Sequence, residues 1–212
     1  MTATAGADAG AVETFAASLD RLDVELTRTA PADLGATLET VASDPAVGAR
    51  LPFDGVALPE WVRLDPTPAE VQAARTGISP AVLAVADYGS VVLPSTDDAA
   101  EPVSLFPERH VPVVRASDVV AGMPEAFATL GPRLREDRGS FVLATGPSAT
   151  ADMGALVRGA HGPREVHVVL LEDGPSTAVD PGLDGTVVDG TETAGADGTD
   201  ADDADDRGGD GA

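Results

Sequence analysis

An α/β domain built on a parallel sheet is what this sequence predicts, and three observations carry the prediction. Apolar runs of strand length recur, at Ser90–Leu93, Phe141–Ala144 and Val166–Leu171. Between and before them lie segments whose apolar residues step by three and four, the spacing of amphipathic helices. In 139–171 a strand, a helix and a second strand follow one another through short connections, the pattern of a right-handed crossover between parallel strands.

Taken in order, residues 12–28 place Val12, Phe15, Leu19, Leu22 and Leu26 on one face of a helix. Leu34, Leu38 and Val41 define a second, short helix with Pro31 near its first turn. These N-terminal helices are expected to pack on a core. Val56–Leu58, closed by Pro59, reads as a short strand, and Pro66–Thr67–Pro68 opens a helix through Ala74. Ser90–Leu93 is a buried strand that Pro94 is expected to end. The acidic stretch 97–102 reads as a loop and Val103–Phe106 as another short strand. In the strand His110–Val114, Pro112 lacks a ladder donor, which predicts an edge position or a local irregularity. Ser117 or Asp118 is expected to cap a helix running through Ala126, Phe127 and Leu130 toward Arg135. After the strand Gly139–Ala144 a helix is predicted over Ala149–Arg158, then the strand Val166–Leu171. From about Pro175 apolar periodicity stops, so 175–212 is expected to be an acidic disordered tail, as 1–11 is a flexible start, leaving the domain at 12–174.

Composition excludes whole classes of chemistry. With no cysteine, this chain cannot form disulfides, thiolate zinc sites or iron–sulfur ligation, nor use a thiol nucleophile. No segment approaches a membrane span, and the start MTATAGADAGAVETF lacks the basic run of a signal peptide, so a cytoplasmic protein is expected. Thirty-six acidic residues oppose thirteen basic ones, and every basic residue is Arg. The stretch 180–212 carries −10 of the −23 net charge, so the excess also covers the body of the chain. Acid-rich, Lys-free chains resemble proteins of salt-loving archaea, where screening makes such a surface tolerable. Nucleic acid and anionic membranes are poor partners for it.

Candidate chemistry gathers at strand ends, where ligands of open α/β sheets bind. Thr145–Gly146–Pro147–Ser148 leaves the strand 139–144; Ser148 or Thr150 can cap the next helix, or its free amides and these hydroxyls can hold an anion. Asp152 in that first turn complements the helix dipole or orients a ligand hydroxyl. Asp87–Tyr88–Gly89–Ser90 is either a plain turn or an acidic and hydroxyl corner of the same crevice. His161, followed by Gly162 and Pro163, suits a helix C-terminus or an acid/base group. His110 and His167 read as structural. Three histidines without a spaced carboxylate set predict no metal site. Neither a Walker loop nor a Gly-x-Ser-x-Gly elbow occurs.

Three blocks together resemble a known family: GISPAVLAVADYGSVVL (77–93), LFPERHVPVV (105–114) and ATGPSATADMGALVRGAHGPREVHVVLL (144–171). They look like the LUD domain of lactate utilization protein C, the LutC/YkgG family. The resemblance implies a Rossmann-like α/β sandwich similar to the NagB/RpiA/CoA-transferase fold. It also implies a role in oxidising L-lactate to pyruvate with iron–sulfur partner proteins, the clusters being carried only by those partners and no cofactor by this chain. Val82 and Tyr88 depart from the family's pattern, which places a polar group and a Thr at those positions. On the resemblance, Thr145, Gly146, Ser148, Thr150, Asp152 and His161 share a pocket with Asp87, Gly89 and Ser90. Ser148, Thr150 and the amides after Gly146 would hold a small carboxylate or phosphorylated metabolite; Asp87 and Asp152 would orient it, and His161 would shuttle a proton. A scaffold that only contacts its iron–sulfur partners, and a free-standing enzyme of the same fold group, are the alternatives.

Overall fold

Helix α1 (Ala9–Arg21) starts where the Asp8 carboxylate accepts a hydrogen bond from the Gly10 amide, and it buries Val12, Phe15 and Leu19 along one face. It stops short of the 12–28 span that its apolar spacing predicts. Asp23 takes a left-handed φ of 58°, the chain turns, and Glu25–Thr29 becomes strand β1. Leu26 is therefore a strand residue, because pairing of β1 with the last strand of the sheet overrides a helical spacing that happens to continue. This computed structural model describes residues 8–95, 99–137, 140–152, 155–159 and 161–172, all within one compact unit, Met1–Ser176. The acidic stretch 175–212 lies outside the described residues.

A 3-10 turn at Pro31–Asp33 leads into α2 (Leu34–Val41), followed by β2 (Ala46–Gly48) and β3 (Arg63–Leu64). Val56–Leu58 forms no strand; Leu58 is used as a side chain, packed over Gly48 and against the core beneath α2. Thr67 caps α3 (Pro68–Ala73) in a reciprocal box with Glu70, whose carboxylate these bonds hold below its ordinary pKa. The parallel strand β4 (Thr76–Pro80) and the antiparallel pair β5 (Leu83–Val85) and β6 (Ser90–Ser95) follow. Strand β6 runs on through Pro94, opposite Phe141. Val103–Phe106, expected as a strand, is instead the end of α4 (Ala100–Leu105) and its cap. Its alternation was misleading: α4 lies across β4, and Val103 packs with Val47, Val71 and Ala74.

Strand β7 (Arg109–Arg115) is central, not at an edge, with β4 and β12 (Glu165–Leu171) parallel on either side. Pro112 shows its effect as a local irregularity: pairing with β12 lapses between the His110 and Val113 rungs. After a second 3-10 turn and β8 (Val119–Val120), helix α5 (Met123–Asp137) begins later than the expected cap. Asp118 is taken up by Arg115, 2.8 Å away. Strand β9 (Ser140–Thr145) forms as predicted. The helix predicted over Ala149–Arg158 does not: the segment is a hairpin, β10 (Ala149–Asp152) against β11 (Ala155–Arg158).

The six-stranded sheet has the order β1-β12-β7-β4-β2-β3, and every pairing in it is parallel. The four-stranded sheet, β8-β5-β6-β9, is largely antiparallel. Strands β9 and β12, expected to be neighbours joined by a crossover, thus belong to different sheets. Alternation along the strands shows the layering. Val168 and Leu170 of β12 pack between the sheets with Phe15 and Leu19 of α1, and with Val91 and Leu93 of β6. Val169 and Leu171 face the other way, under Leu34 and Leu38 of α2. Val92 of β6 meets Ala126 and Leu130 of α5.

Where α4 crosses β4, a Cβ added to Gly77 would run into the Val103 carbonyl, a backbone atom that cannot swing aside. Gly77→Ala should lower stability by about 1–3 kcal/mol in urea denaturation, the usual cost of overpacking. An unchanged midpoint would show that α4 is free to lift from the sheet.

Candidate functional site

Two glycines build the site's outer corner. Gly89, in the turn before β6, and Gly146, after β9, both take φ of +66°, and both lie against Leu22 at the end of α1. A side chain at Gly89 would strike Leu22 and Ser18 as well as straining the backbone. The six-rung pairing of β6 with β9 holds these turns side by side, and Ser90 Oγ and Thr145 Oγ1 share a hydrogen bond of 2.7 Å. The Asp87–Ser90 corner and the Thr145–Ser148 loop therefore do meet.

They meet at the rim of a cleft of about 240 Å³ between the two sheets. Its walls are apolar, with Leu19 and Val24 from the N-terminal segment, Val91 and Leu93 from β6, Val142 and Ala144 from β9, and Val166 and Val168 from β12. Its polar groups are Thr145, Ser148, His161, Ser104 and His110. The His161–Pro163 loop closes on the Ser148 loop: the Ser148 amide donates to the Pro163 carbonyl at 2.9 Å, and Gly162 lies against the Ser148 side chain.

Of the expected site residues, Gly89, Thr145, Gly146, Ser148 and His161 line the cleft, and Ser90 supports its rim through Thr145. Thr150 lies on β10 outside the lining. Asp152 ends the same strand, and its side chain lies outside the described ones. Asp87 is exposed, with its carboxylate directed at Gly122 before α5; only its backbone carbonyl joins the corner, accepting from Ser18 and Arg21. The anion-holding helix start is replaced by the hairpin, so this segment turns no helix N-terminus toward the cleft. The Ser148 amide, expected to be free for a ligand, is spent on Pro163. His161 correspondingly caps no helix.

Arg158 pairs with Asp23 at 3.1 Å, and Arg164 packs across Gly159. Both line a separate polar depression with Arg109, Glu165 and His167. Among the described residues that line the cleft, none is an Arg, Asp or Glu. His167 is structural, bonded to Thr27 through Nε2 at 2.8 Å and to Glu25 through Nδ1 at 2.9 Å. Burial pushes its pKa below the ordinary imidazole value, against the opposing pull of Glu25. His110 and Ser104 were not foreseen as lining residues. The available signal was periodicity: alternation from Val111 and Val113 turns His110 toward the layer between the sheets.

Comparison with known proteins places these loops in a family context. Residues 67–171 match the LUD domain. The match runs from the cap of α3 to the end of β12, so Leu19 and Val24 of the cleft wall come from outside it. Lactate utilization protein C of Bacillus licheniformis is 30% identical over 130 residues, covering 58% of this chain and 53% of that protein. The Deinococcus radiodurans protein of the same name is 30% identical over 105 residues, covering 49% of each. The chain thus matches about half the length of these curated relatives. A solved structure of a DUF162 family protein from Deinococcus radiodurans shares the fold, with a TM-score of 0.59 over 77% of this chain and 97% of that one at 20% identity. No helix among the described residues is long and apolar enough to cross a membrane.

Burial brings the His110 pKa down to about 3 from 6.5. The unfolded chain then binds a proton that the folded chain refuses between these values, so stability falls as pH drops from about 6.5 toward 3. The slope from this group approaches about 1.4 kcal/mol per pH unit. His110→Gln, compared with the parent by urea denaturation at pH 7 and pH 5, should flatten this dependence; parallel pH profiles would contradict it.

Proposed function

We propose that the protein is a non-redox component of an L-lactate utilization system, acting beside iron–sulfur partner proteins, and that the cleft between its sheets binds a small carboxylate. The observation that carries this reading is the junction of two sequence blocks. Thr145–Ser148 and His161–Pro163 are joined by the Ser148–Pro163 hydrogen bond at the mouth of an apolar-walled cleft. The names of the relatives support a role in lactate utilization, and a chain without cysteine is compatible with a component whose iron–sulfur clusters would be carried by partners. Ser148 Oγ and the His161 ring are the donors at the mouth, and His161 is the group able to exchange a proton with a bound ligand. Asp87, directed at α5, has no part in it.

With no Arg along the described lining, a carboxylate would be held weakly, in the millimolar range, where about −4 kcal/mol suffices. The same observation favours a second reading, a scaffold whose cleft is empty in function. Calorimetry on the full chain with L-lactate, pyruvate and a sugar phosphate separates the two. Binding that weakens about tenfold or more in Ser148→Ala with His161→Ala supports a working cleft, that being the scale of two lost hydrogen bonds. Heats unchanged between parent and variant, or none at all, support the scaffold. The acidic, Lys-free surface is read as adaptation to a salty cytoplasm; raising KCl from low to molar levels should raise the melting temperature, and a fall would contradict that reading.

A further inference from the structure

The larger sheet ends in β1 and β3, the smaller in β8 and β9, and these four edges are not alike. A strand edge is a template for pairing with another chain, so proteins shorten such strands or place charges on them. Strands β3 and β8 are two residues long. Strand β1 exposes Glu25 and Arg28. Strand β9 has neither protection. Its six residues, Ser140–Thr145, include no charged residue and no proline, and its ladder with β6 runs unbroken without a bulge. No strand among the described residues pairs with its outer edge. Burial changes sharply across that one strand spacing. Val91, Val92 and Leu93 of β6 are at most 4% exposed, whereas Val142 and Ala144 of β9 are half-buried and Leu143 is 44% exposed. Val142, Leu143 and Ala144 line the cleft, so the cleft wall stops at an uncovered edge.

We propose that a second copy of this chain pairs with that edge, β9 against β9, antiparallel about a two-fold axis. The two four-stranded sheets then form one of eight strands, and the partner's strand extends the cleft wall. The edge itself describes what can cover it: an extended, uncharged segment with apolar side chains on both faces. Strand β9 is such a segment. Residues directly opposite in an antiparallel pair share a face of the sheet. Val142 and Ala144 of the second copy therefore continue the cleft side. Phe141 and Leu143 continue the side of α5, where Val92 meets Ala126 and Leu130. A two-fold contact of this kind is self-complementary and closes at two chains. Charge favours the same place. Two chains of net −23 repel over most of their surfaces, and an uncharged strand sets no like charges opposite each other. A six-residue pairing is small beside the roughly 1,200 Å² at which standard interfaces begin. The dimer is therefore weak, depends on concentration, and tightens as salt screens the acidic surfaces. This inference is independent of what the cleft binds.

Sedimentation velocity on the full chain in molar KCl, from micromolar to millimolar protein, should show a monomer–dimer equilibrium. Leu143→Lys should weaken the dimer about tenfold or more, because it brings two like charges together near the axis. The chain has no cysteine, so a single introduced thiol reports its own surroundings. Identical positions meet at a two-fold axis, so under mild oxidant one of Phe141→Cys, Val142→Cys and Leu143→Cys should form a disulfide-linked dimer. Thr40→Cys, exposed on α2, should not. Hydrogen exchange on the parent, which needs no variant to fold, should show the outer amides of β9 protected at high concentration and released on dilution. A monomer at every concentration would overturn the proposal. Protected outer amides in that monomer would mean that the chain covers its own edge; freely exchanging ones would leave the edge to solvent or to a different protein. A dimer indifferent to Leu143→Lys and linked through none of the three β9 thiols would place the contact elsewhere and overturn the proposal equally.

Discussion

The pairing of β6 with β9 is the constraint on which the site depends. Strand β9 lies at the edge of its sheet, and its rungs run from Ser90–Thr145 to Ser95–Ser140 along β6. That ladder fixes one wall of the cleft and brings the left-handed turns at Gly89 and Gly146 together over Leu22. The Ser90–Thr145 bond at its end contributes about 1 kcal/mol, the net worth of an ordinary hydrogen bond, but its position matters more than its strength. It joins two turns that are 55 residues apart in the chain at the point where the cleft opens.

Much of this was legible in the residues, and the exceptions share a cause. Val166–Leu171 and Ser90–Leu93 read as buried strands because each is covered on both faces, and α1, α2 and α5 read as helices because each buries one stripe. The errors fell on short segments that fit two periods. In Ala149–Arg158, Thr150, Asp152 and the later Leu156 and Val157 satisfy a helical spacing about as well as a strand's, and pairing across the hairpin decided between them. Val103–Phe106 alternates like a strand, yet packing on Gly77 makes it a helix. Leu26 extended the spacing of α1 into what is an edge strand of the larger sheet. Local pattern carries no information about which neighbour a segment will find.

The site shows the same division. Sequence brought the Gly89–Ser90 corner, the Thr145–Ser148 loop and His161 to one crevice, although the helix expected to join them is absent. The residues deeper in the cleft were hidden because each comes from a different strand or helix, and only the stacking of two sheets sets His110 of β7 beneath Val142 and Ala144 of β9 in one lining. The resulting gradient is simple. Hydroxyls and an exposed imidazole stand at the mouth, branched aliphatic side chains line the middle, and a single uncharged ring sits at depth. A polar group entering such a cleft must find one of its few polar side chains; otherwise it gives up its water for hydrocarbon.

The use of arginine for every basic side chain has a chemical consequence beyond surface charge. The ion pairs of the described residues are made by guanidinium groups, or by the His167 ring, and nowhere by an ε-amine. A guanidinium stays protonated and is a poor nucleophile toward carbonyl carbon. With no lysine side chain to condense with a keto acid, imine chemistry of that kind is closed to the side chains of this protein.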